Sequence, residues 1–69
     1  MTPEQCKAAR ALADMSQQDL AEAAEVAKAT ITNFETGNRR PYKRTLSALQ
    51  AALEARGVTV TNDGVRIND

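Results

Sequence analysis

Basic side chains are concentrated in the middle of this sequence of 69 residues. Residues 28–44 hold five basic side chains and one acidic side chain, whereas residues 1–27 hold two basic and five acidic ones. The formal net charge of the whole chain is zero, but a charged partner responds to the local sign within a Debye length of about 8–10 Å. The basic run predicts a surface that binds a polyanion, and charge alone leaves a solvated loop as the alternative. The run consists of Lys28, Arg39, Arg40, Lys43 and Arg44.

Side chains that carry catalysis or bind metals are scarce. The sequence has no His and a single Cys, Cys6, so it offers neither an internal disulfide nor a zinc site of the usual kind. Ser16 and Ser47 lack a candidate base, and a domain of this size has little volume for a catalytic pocket. We therefore expect no enzymatic activity, no cofactor and no metal ion.

Two capping boxes mark the first two helices. Thr2, with Pro3 at the first helical position and Gln5 as its reciprocal partner, predicts a helix over about 3–13. Ser16 and Asp19 predict a second start, and this helix ends near residue 24 because another helical pattern follows closely. Helical spacing predicts that the first helix buries one face, formed by Cys6, Ala9, Leu12 and Ala13.

Apolar stripes and glycines define two further helices. The third, over 27–36, is closed by Gly37 and has a buried stripe of Val26, Ile31 and Phe34. A loop follows, because Pro41 disfavours helix at the residue before it. The fourth helix begins near Lys43, is closed by Gly57, and has a stripe of Leu46, Leu49, Ala52 and Leu53.

After residue 57 the apolar period changes from 3.6 to 2, which predicts a β-hairpin. A two-residue loop at 63–64 and one at 62–63 both keep the same side chains on one face, so the sequence is compatible with either turn. A two-stranded hairpin is marginal alone, so this face packs on a second copy or on the helices of its own chain. We predict the former, with residues 1–57 as one domain and residues 58–69 as a dimerisation element. The predicted interface residues are Val58, Val60, Val65 and Ile67.

Two short helices joined by a tight turn form a helix-turn-helix, whose second helix can enter the DNA major groove. Over residues 4–57 the sequence resembles the lambda-repressor-like, XRE (Cro-type) transcriptional regulators. The resemblance implies a mostly α fold of four to five helices, here with a C-terminal hairpin, and a DNA-binding repressor. It also implies an ion pair between Arg10 and Glu35, where two unrelated surface charges are the alternative. The matching residues are Arg10, Ser16, Gln17, Gln18, Asp19, Leu20, Ala21, Val26, Ile31, Phe34, Glu35, Gly37, Arg40 and Pro41.

Helix geometry selects the side chains that face DNA. Successive residues of a helix are rotated by about 100°, and Ile31 is taken to point inward. The side chains that then point outward are Ala29, Thr32, Asn33 and Thr36, and they are flanked by Lys28 and Thr30. Asn33 can pair with adenine, and Ala29 can contact a thymine methyl group. We predict base reading by Lys28, Ala29, Thr30, Thr32 and Asn33.

Phosphate contacts are predicted around this helix. Lys43 and Arg44 begin a helix, where the dipole disfavours cations, and a local rule broken in this way indicates a functional site. Gln17 starts the second helix, and the resemblance implies that it clamps a phosphate. The predicted phosphate-binding residues are Gln17, Thr36, Asn38, Arg39, Arg40, Lys43 and Arg44.

Two positions depart from the family pattern. Glu25 stands where the family usually has Gly, and Ala27 stands where it usually has a capping Ser or Thr. Each departure costs on the order of 1 kcal/mol. We expect them to affect the turn and the tightness of DNA binding rather than the fold.

The expected partners are double-stranded DNA, a second copy of the chain, and a regulatory protein. The beginning of the sequence lacks a basic and apolar signal segment, and Cys6 is unpaired, so we expect a cytoplasmic, nucleoid-associated protein.

The alternative function is an antitoxin or another protein-interaction module that keeps a helix-turn-helix shell. Zero net charge and Glu25 favour that alternative.

Overall fold

The computed structural model describes residues 1–68, which form four α-helices and a two-stranded antiparallel sheet. The elements in chain order are α1 (Pro3–Ala13), α2 (Gln17–Ala24), α3 (Lys28–Glu35), α4 (Lys43–Ala55), β1 (Val58–Val60) and β2 (Val65–Ile67). This is the mostly helical architecture with a C-terminal hairpin that the sequence predicts. None of the helices in this part of the chain has the length and apolar character needed to cross a membrane.

Both predicted capping boxes are present. The Thr2 hydroxyl accepts the Gln5 backbone N–H at 3.1 Å, and the Gln5 side chain accepts the Thr2 N–H at 2.9 Å. Ser16 and Asp19 make the same reciprocal pair at 2.9 and 3.0 Å. These bonds satisfy backbone N–H groups that have no partner within the helix, and they fix where α1 and α2 begin.

The turn between α2 and α3 depends on a non-glycine residue in the left-handed region. Glu25 has φ 58°, and the following Val26 N–H donates to the Ala21 carbonyl at 2.9 Å. This bond is typical of a Schellman motif, in which glycine usually occupies the left-handed position. Glu25 in that position costs on the order of 1 kcal/mol, because its Cβ lies close to the backbone. The turn therefore forms as the family pattern requires, without the usual glycine.

The core is formed by apolar side chains from all four helices, from the turn between α1 and α2, and from β1. The prediction for α1 is wrong at Leu12, which is 43% exposed. Leu12 lies about 90° from the centre of the stripe that Cys6, Ala9 and Ala13 form, so it projects over the edge of the core. The buried apolar residues are Cys6, Ala9, Ala13, Met15, Leu20, Ala21, Ile31, Phe34, Leu49, Ala52, Leu53 and Val58.

The hairpin pairs Val58 with Ile67 and Val60 with Val65. The Thr61 N–H donates to the Gly64 carbonyl at 2.9 Å. The loop therefore lies at residues 62–63, which is the second of the two loops that keep the apolar side chains on one face.

The apolar face of the hairpin covers the helices of its own chain. Val58 is buried, and Val60 and Val65 pack against the core, whereas Ile67 is 57% exposed. The Gln5 side-chain amide also donates to two carbonyls of the turn, at 2.8 and 3.1 Å. This is the alternative to the predicted dimer interface, and it uses three of the four predicted interface side chains within the chain.

Candidate nucleic-acid interface

Helix α3 presents one face to the core and the other to the surface. Ile31 and Phe34 are fully buried and seat the helix on α1 and α2. The predicted base-reading side chains lie on the other face: Lys28 and Ala29 are exposed, and Thr30, Thr32 and Asn33 are partly exposed. The inward direction assumed for Ile31 is therefore the observed one.

An open groove of about 520 Å³ lies between α3 and the segment that leads into α4. Its α3 wall consists of Ala29, Thr30 and Asn33, and its other wall includes Arg39 and Arg40. The groove thus brings predicted base-reading residues together with predicted phosphate-binding residues. Lys28, Thr32, Lys43 and Arg44 do not line it. Pro41 and Thr45 were not predicted as site residues. Thr45 lies in the first turn of α4, next to two predicted phosphate-binding residues, and this position could have identified it. The full lining is Ala29, Thr30, Asn33, Arg39, Arg40, Pro41, Tyr42 and Thr45.

The cations near the groove are exposed to solvent, and Arg40 Nη1 also donates a long hydrogen bond of 3.4 Å to the Met1 carbonyl. Arg39, Arg40, Lys43 and Arg44 are all exposed, as is Asn38. Within residues 1–68, no side chain caps the start of α4, where 80% of Tyr42 is exposed. Backbone N–H groups at this helix start and the adjacent cations can therefore approach the same phosphate strand.

Arg10 and Glu35 form a two-pronged ion pair beneath the helix-turn-helix. Arg10 Nε lies 2.7 Å from Glu35 Oε2, and Arg10 Nη2 lies 2.7 Å from Glu35 Oε1. The carboxylate side chain is 3% exposed and the guanidinium side chain 18% exposed. A third nitrogen, Arg10 Nη1, donates to the Met15 carbonyl at 3.1 Å. The pair therefore links α1 to the end of α3, with its carboxylate buried and its guanidinium partly exposed.

Two further groups donate to the same carboxylate. Gln17 Nε2 lies 3.0 Å from Glu35 Oε1, and Cys6 Sγ lies 3.1 Å from Glu35 Oε2. Burial alone would raise the pKa of Glu35, but hydrogen bonds from Arg10, Gln17 and Cys6 bring that pKa below its ordinary value. Burial, together with the neighbouring carboxylate, raises the pKa of the Cys6 thiol to about 12. Glu35 is therefore ionised at neutral pH, and Cys6 is a protonated donor.

The hydroxyl groups of two predicted DNA-facing residues already have partners. The Thr32 hydroxyl donates to Gln17 Oε1 at 2.8 Å, and the Thr36 hydroxyl donates to the Thr32 carbonyl at 2.9 Å. Gln17, the predicted phosphate clamp, thus directs its side chain toward α3. Its backbone N–H lies at the first position of α2, where N–H groups have no acceptor within the helix.

The lowered pKa of Glu35 makes stability depend on pH. As pH falls, Glu35 takes up its proton at a higher pH in the unfolded chain than in the folded chain. The contribution of Glu35 to the free energy of unfolding is therefore fully present above the pKa of the unfolded chain. It falls as pH drops from about 5 through the folded pKa. Urea unfolding at pH 7 and pH 3 should show a smaller pH effect for Glu35→Gln than for the unchanged chain. The remainder should come in part from Asp19, whose pKa is also lowered, chiefly by its hydrogen bond with the Ser16 backbone. An equal pH effect in both proteins would show that Glu35 does not contribute to the pH dependence of stability.

The short α2, the tight turn and α3, with its outer face beside a basic segment, define a helix-turn-helix DNA-binding domain. A protein-family model described as helix-turn-helix matches residues 7–59, which is most of the chain. The protein therefore belongs to the XRE, lambda-repressor-like helix-turn-helix family and is a DNA-binding regulator. Members of this family are typically not enzymes. No curated protein matches the sequence. The family match ends within β1, so the rest of the hairpin lies beyond it.

Proposed function

We propose that the protein is a sequence-specific transcriptional repressor that places α3 in the major groove of an operator and thereby blocks the polymerase. The observation that carries this proposal is the groove, with base-reading candidates on one wall and arginines on the other. A duplex strand running along such a groove would meet base-edge contacts and backbone contacts at the same time.

Base reading centres on Asn33. Its amide can offer one donor and one acceptor to the N7 and N6 positions of adenine. Ala29 supports an apolar contact with a thymine methyl group, and Thr30 adds a hydroxyl on the same wall. Lys28 is exposed at the start of α3 and can reach guanine or a phosphate. The proposed half-site therefore contains an A·T pair opposite Asn33.

Backbone contacts come from the segment after α3. Arg39 and Arg40 line the groove, and Lys43 and Arg44 continue the basic surface along the first turn of α4. Four phosphate contacts in each half-site imply a slope near −3.6 when the logarithm of affinity is plotted against the logarithm of salt concentration. The local excess of positive charge supports this reading despite the zero net charge.

Removing the Asn33 amide should abolish base discrimination at one position. A preferred duplex is first selected from a random pool with the unchanged protein, and Kd is then measured by fluorescence anisotropy. Asn33→Ala should raise Kd for that duplex by roughly 10- to 100-fold, the loss expected for one bidentate base contact. Asn62→Ala, at the hairpin turn, is the matched control and should leave Kd unchanged. A folded Asn33→Ala protein with an unchanged Kd would instead favour a protein-interaction module.

We also propose that the regulator binds as a homodimer, with two α3 helices about 34 Å apart on a pseudo-palindromic site. The hairpin remains the proposed contact, now through the outer edge of β2 and the exposed Ile67 rather than through the face that covers the core. Ile67→Asp in the full chain should shift sedimentation toward the monomer, whereas Arg66→Asp, on the opposite face of β2, should shift it less. Truncation at Gly57 is a poorer test, because it removes the buried Val58. An unchanged oligomeric state in Ile67→Asp would remove this edge from the interface.

A further inference from the structure

The side-chain amide of Gln17 lies between a buried carboxylate and the recognition helix. Its nitrogen is 3.0 Å from Glu35 Oε1, and its oxygen is 2.8 Å from the Thr32 hydroxyl. Gln17 begins α2, whereas Thr32 lies in the middle of α3 and Glu35 at its end. One side chain therefore connects the first helix of the motif to two points on the second.

The chemistry of Glu35 fixes the direction of each hydrogen bond in this chain. An ionised carboxylate only accepts hydrogen bonds, so the amide atom that faces it is the nitrogen. The amide oxygen then faces Thr32, and the Thr32 hydroxyl has to donate its single hydrogen to that oxygen. The other acceptor near this hydroxyl, the Lys28 carbonyl, is farther away at 3.3 Å. The buried ion pair thus sets the orientation of a hydroxyl on the DNA-facing helix.

We propose that Gln17 and Thr32 form a positioning pair for base recognition, which rests on the proposed function of α3 as the reading helix. Their hydrogen bond holds the rotation of α3 about its own axis, and with it the angle at which Asn33 meets a base edge. Thr32 acts through Asn33 and not by donating its hydroxyl hydrogen to a base. The side chain of Gln17 acts through its hydrogen bond to Thr32 and not by contacting DNA. A phosphate contact of the Gln17 backbone N–H would be a separate interaction.

This pair is expected to control discrimination as well as affinity. A helix that can rotate by a few degrees still reaches the phosphates through its flanking cations, since long basic side chains adapt. A two-point hydrogen bond to adenine requires alignment of both partners. Loss of the pair should therefore weaken binding to the preferred duplex more than binding to a duplex altered at the Asn33 position.

The test compares Kd for the selected duplex with Kd for the same duplex changed at the base pair that Asn33 reads. Thr32→Val removes the hydroxyl and keeps the shape, and Gln17→Met removes the amide and keeps the length. Each change should lower the ratio of the two affinities by about tenfold, equivalent to about 1.4 kcal/mol. The double variant should lose little more than either single variant, because both remove the same bond. Thr32→Ser, which keeps the donor, should restore the ratio to within about twofold.

Three results would overturn the proposal. If Thr32 donated to a base itself, Thr32→Val would change preference at a different base pair, and its effect would add to that of Gln17→Met. A purely structural role would lower the urea midpoint of both variants and leave the affinity ratio unchanged. An unchanged protein with no preferred duplex would refute the proposed function itself, a failure seen before any variant is compared.

Discussion

Replacing Arg10 with methionine should destabilise the protein by about 3–5 kcal/mol, because the change leaves the Glu35 carboxylate buried without its cation. Both contacts between the two side chains are 2.7 Å long, and the carboxylate is 3% exposed. A chain of this length has a total stability of roughly 3–10 kcal/mol, so the loss should remove a large share of it. Each 1 kcal/mol corresponds to about 4–8 °C in a small domain. Calorimetry and urea unfolding should therefore show a much lower Tm and midpoint.

The control for this prediction is Lys7→Met, which removes a cation from an exposed position of the same helix. It should change stability by no more than about 0.5 kcal/mol. The double variant Arg10→Met with Glu35→Met should recover part of the loss, because no charge is then left buried without a partner. If Arg10→Met cost less than about 1 kcal/mol, the ion pair would contribute no more than an exposed surface pair.

Neutralising the basic surface should produce the second large effect. We expect one combined variant to lose nearly all of the salt dependence of duplex binding that its replaced side chains supply. It carries Arg39→Gln, Arg40→Gln, Lys43→Gln and Arg44→Gln. A slope of −3.6 corresponds to a thousandfold or greater electrostatic contribution at 0.1 M salt, relative to 1 M. We expect a loss of that order in affinity for the selected duplex. Anisotropy titrations across a series of salt concentrations measure both the slope and the affinity.

A control that removes cations elsewhere in the chain separates local contacts from total charge. Arg56→Gln with Arg66→Gln removes two cations from the end of α4 and from the hairpin, outside the groove lining. This variant should keep a slope close to that of the unchanged protein. Single neutralisations in the basic surface should each reduce the magnitude of the slope by about 0.9. Equal slopes in the fourfold variant and the unchanged protein would show that these four side chains do not bind phosphates.

The helix boundaries could be predicted because their signals are local. Thr2 with Gln5, and Ser16 with Asp19, satisfy backbone groups within three residues, so the bond is encoded where it forms. Gly37 and Gly57 both have positive φ, as helix-closing glycines do. Even Glu25 adopts the left-handed conformation at a position identified from the family pattern.

Features set by packing between distant segments could not be predicted in the same way. Periodicity placed Leu12 on the stripe, but the edge of the core depends on where β1 and α4 cover α1. The apolar hairpin face was compatible with a second copy and with its own helices, and only the three-dimensional arrangement distinguishes them. Helix rotation pointed Thr32 outward, but the amide of Gln17 meets its hydroxyl from the neighbouring helix.

The most direct test of the central claim, that α3 meets the duplex, is an amide NMR titration of the protein with its selected duplex. The largest shifts should lie in α3 around Asn33, in the segment around Arg40 and at the N-terminus of α2, and the hairpin should show small shifts. Saturable shifts confined to α1 or to the hairpin, with α3 unchanged, would contradict that claim.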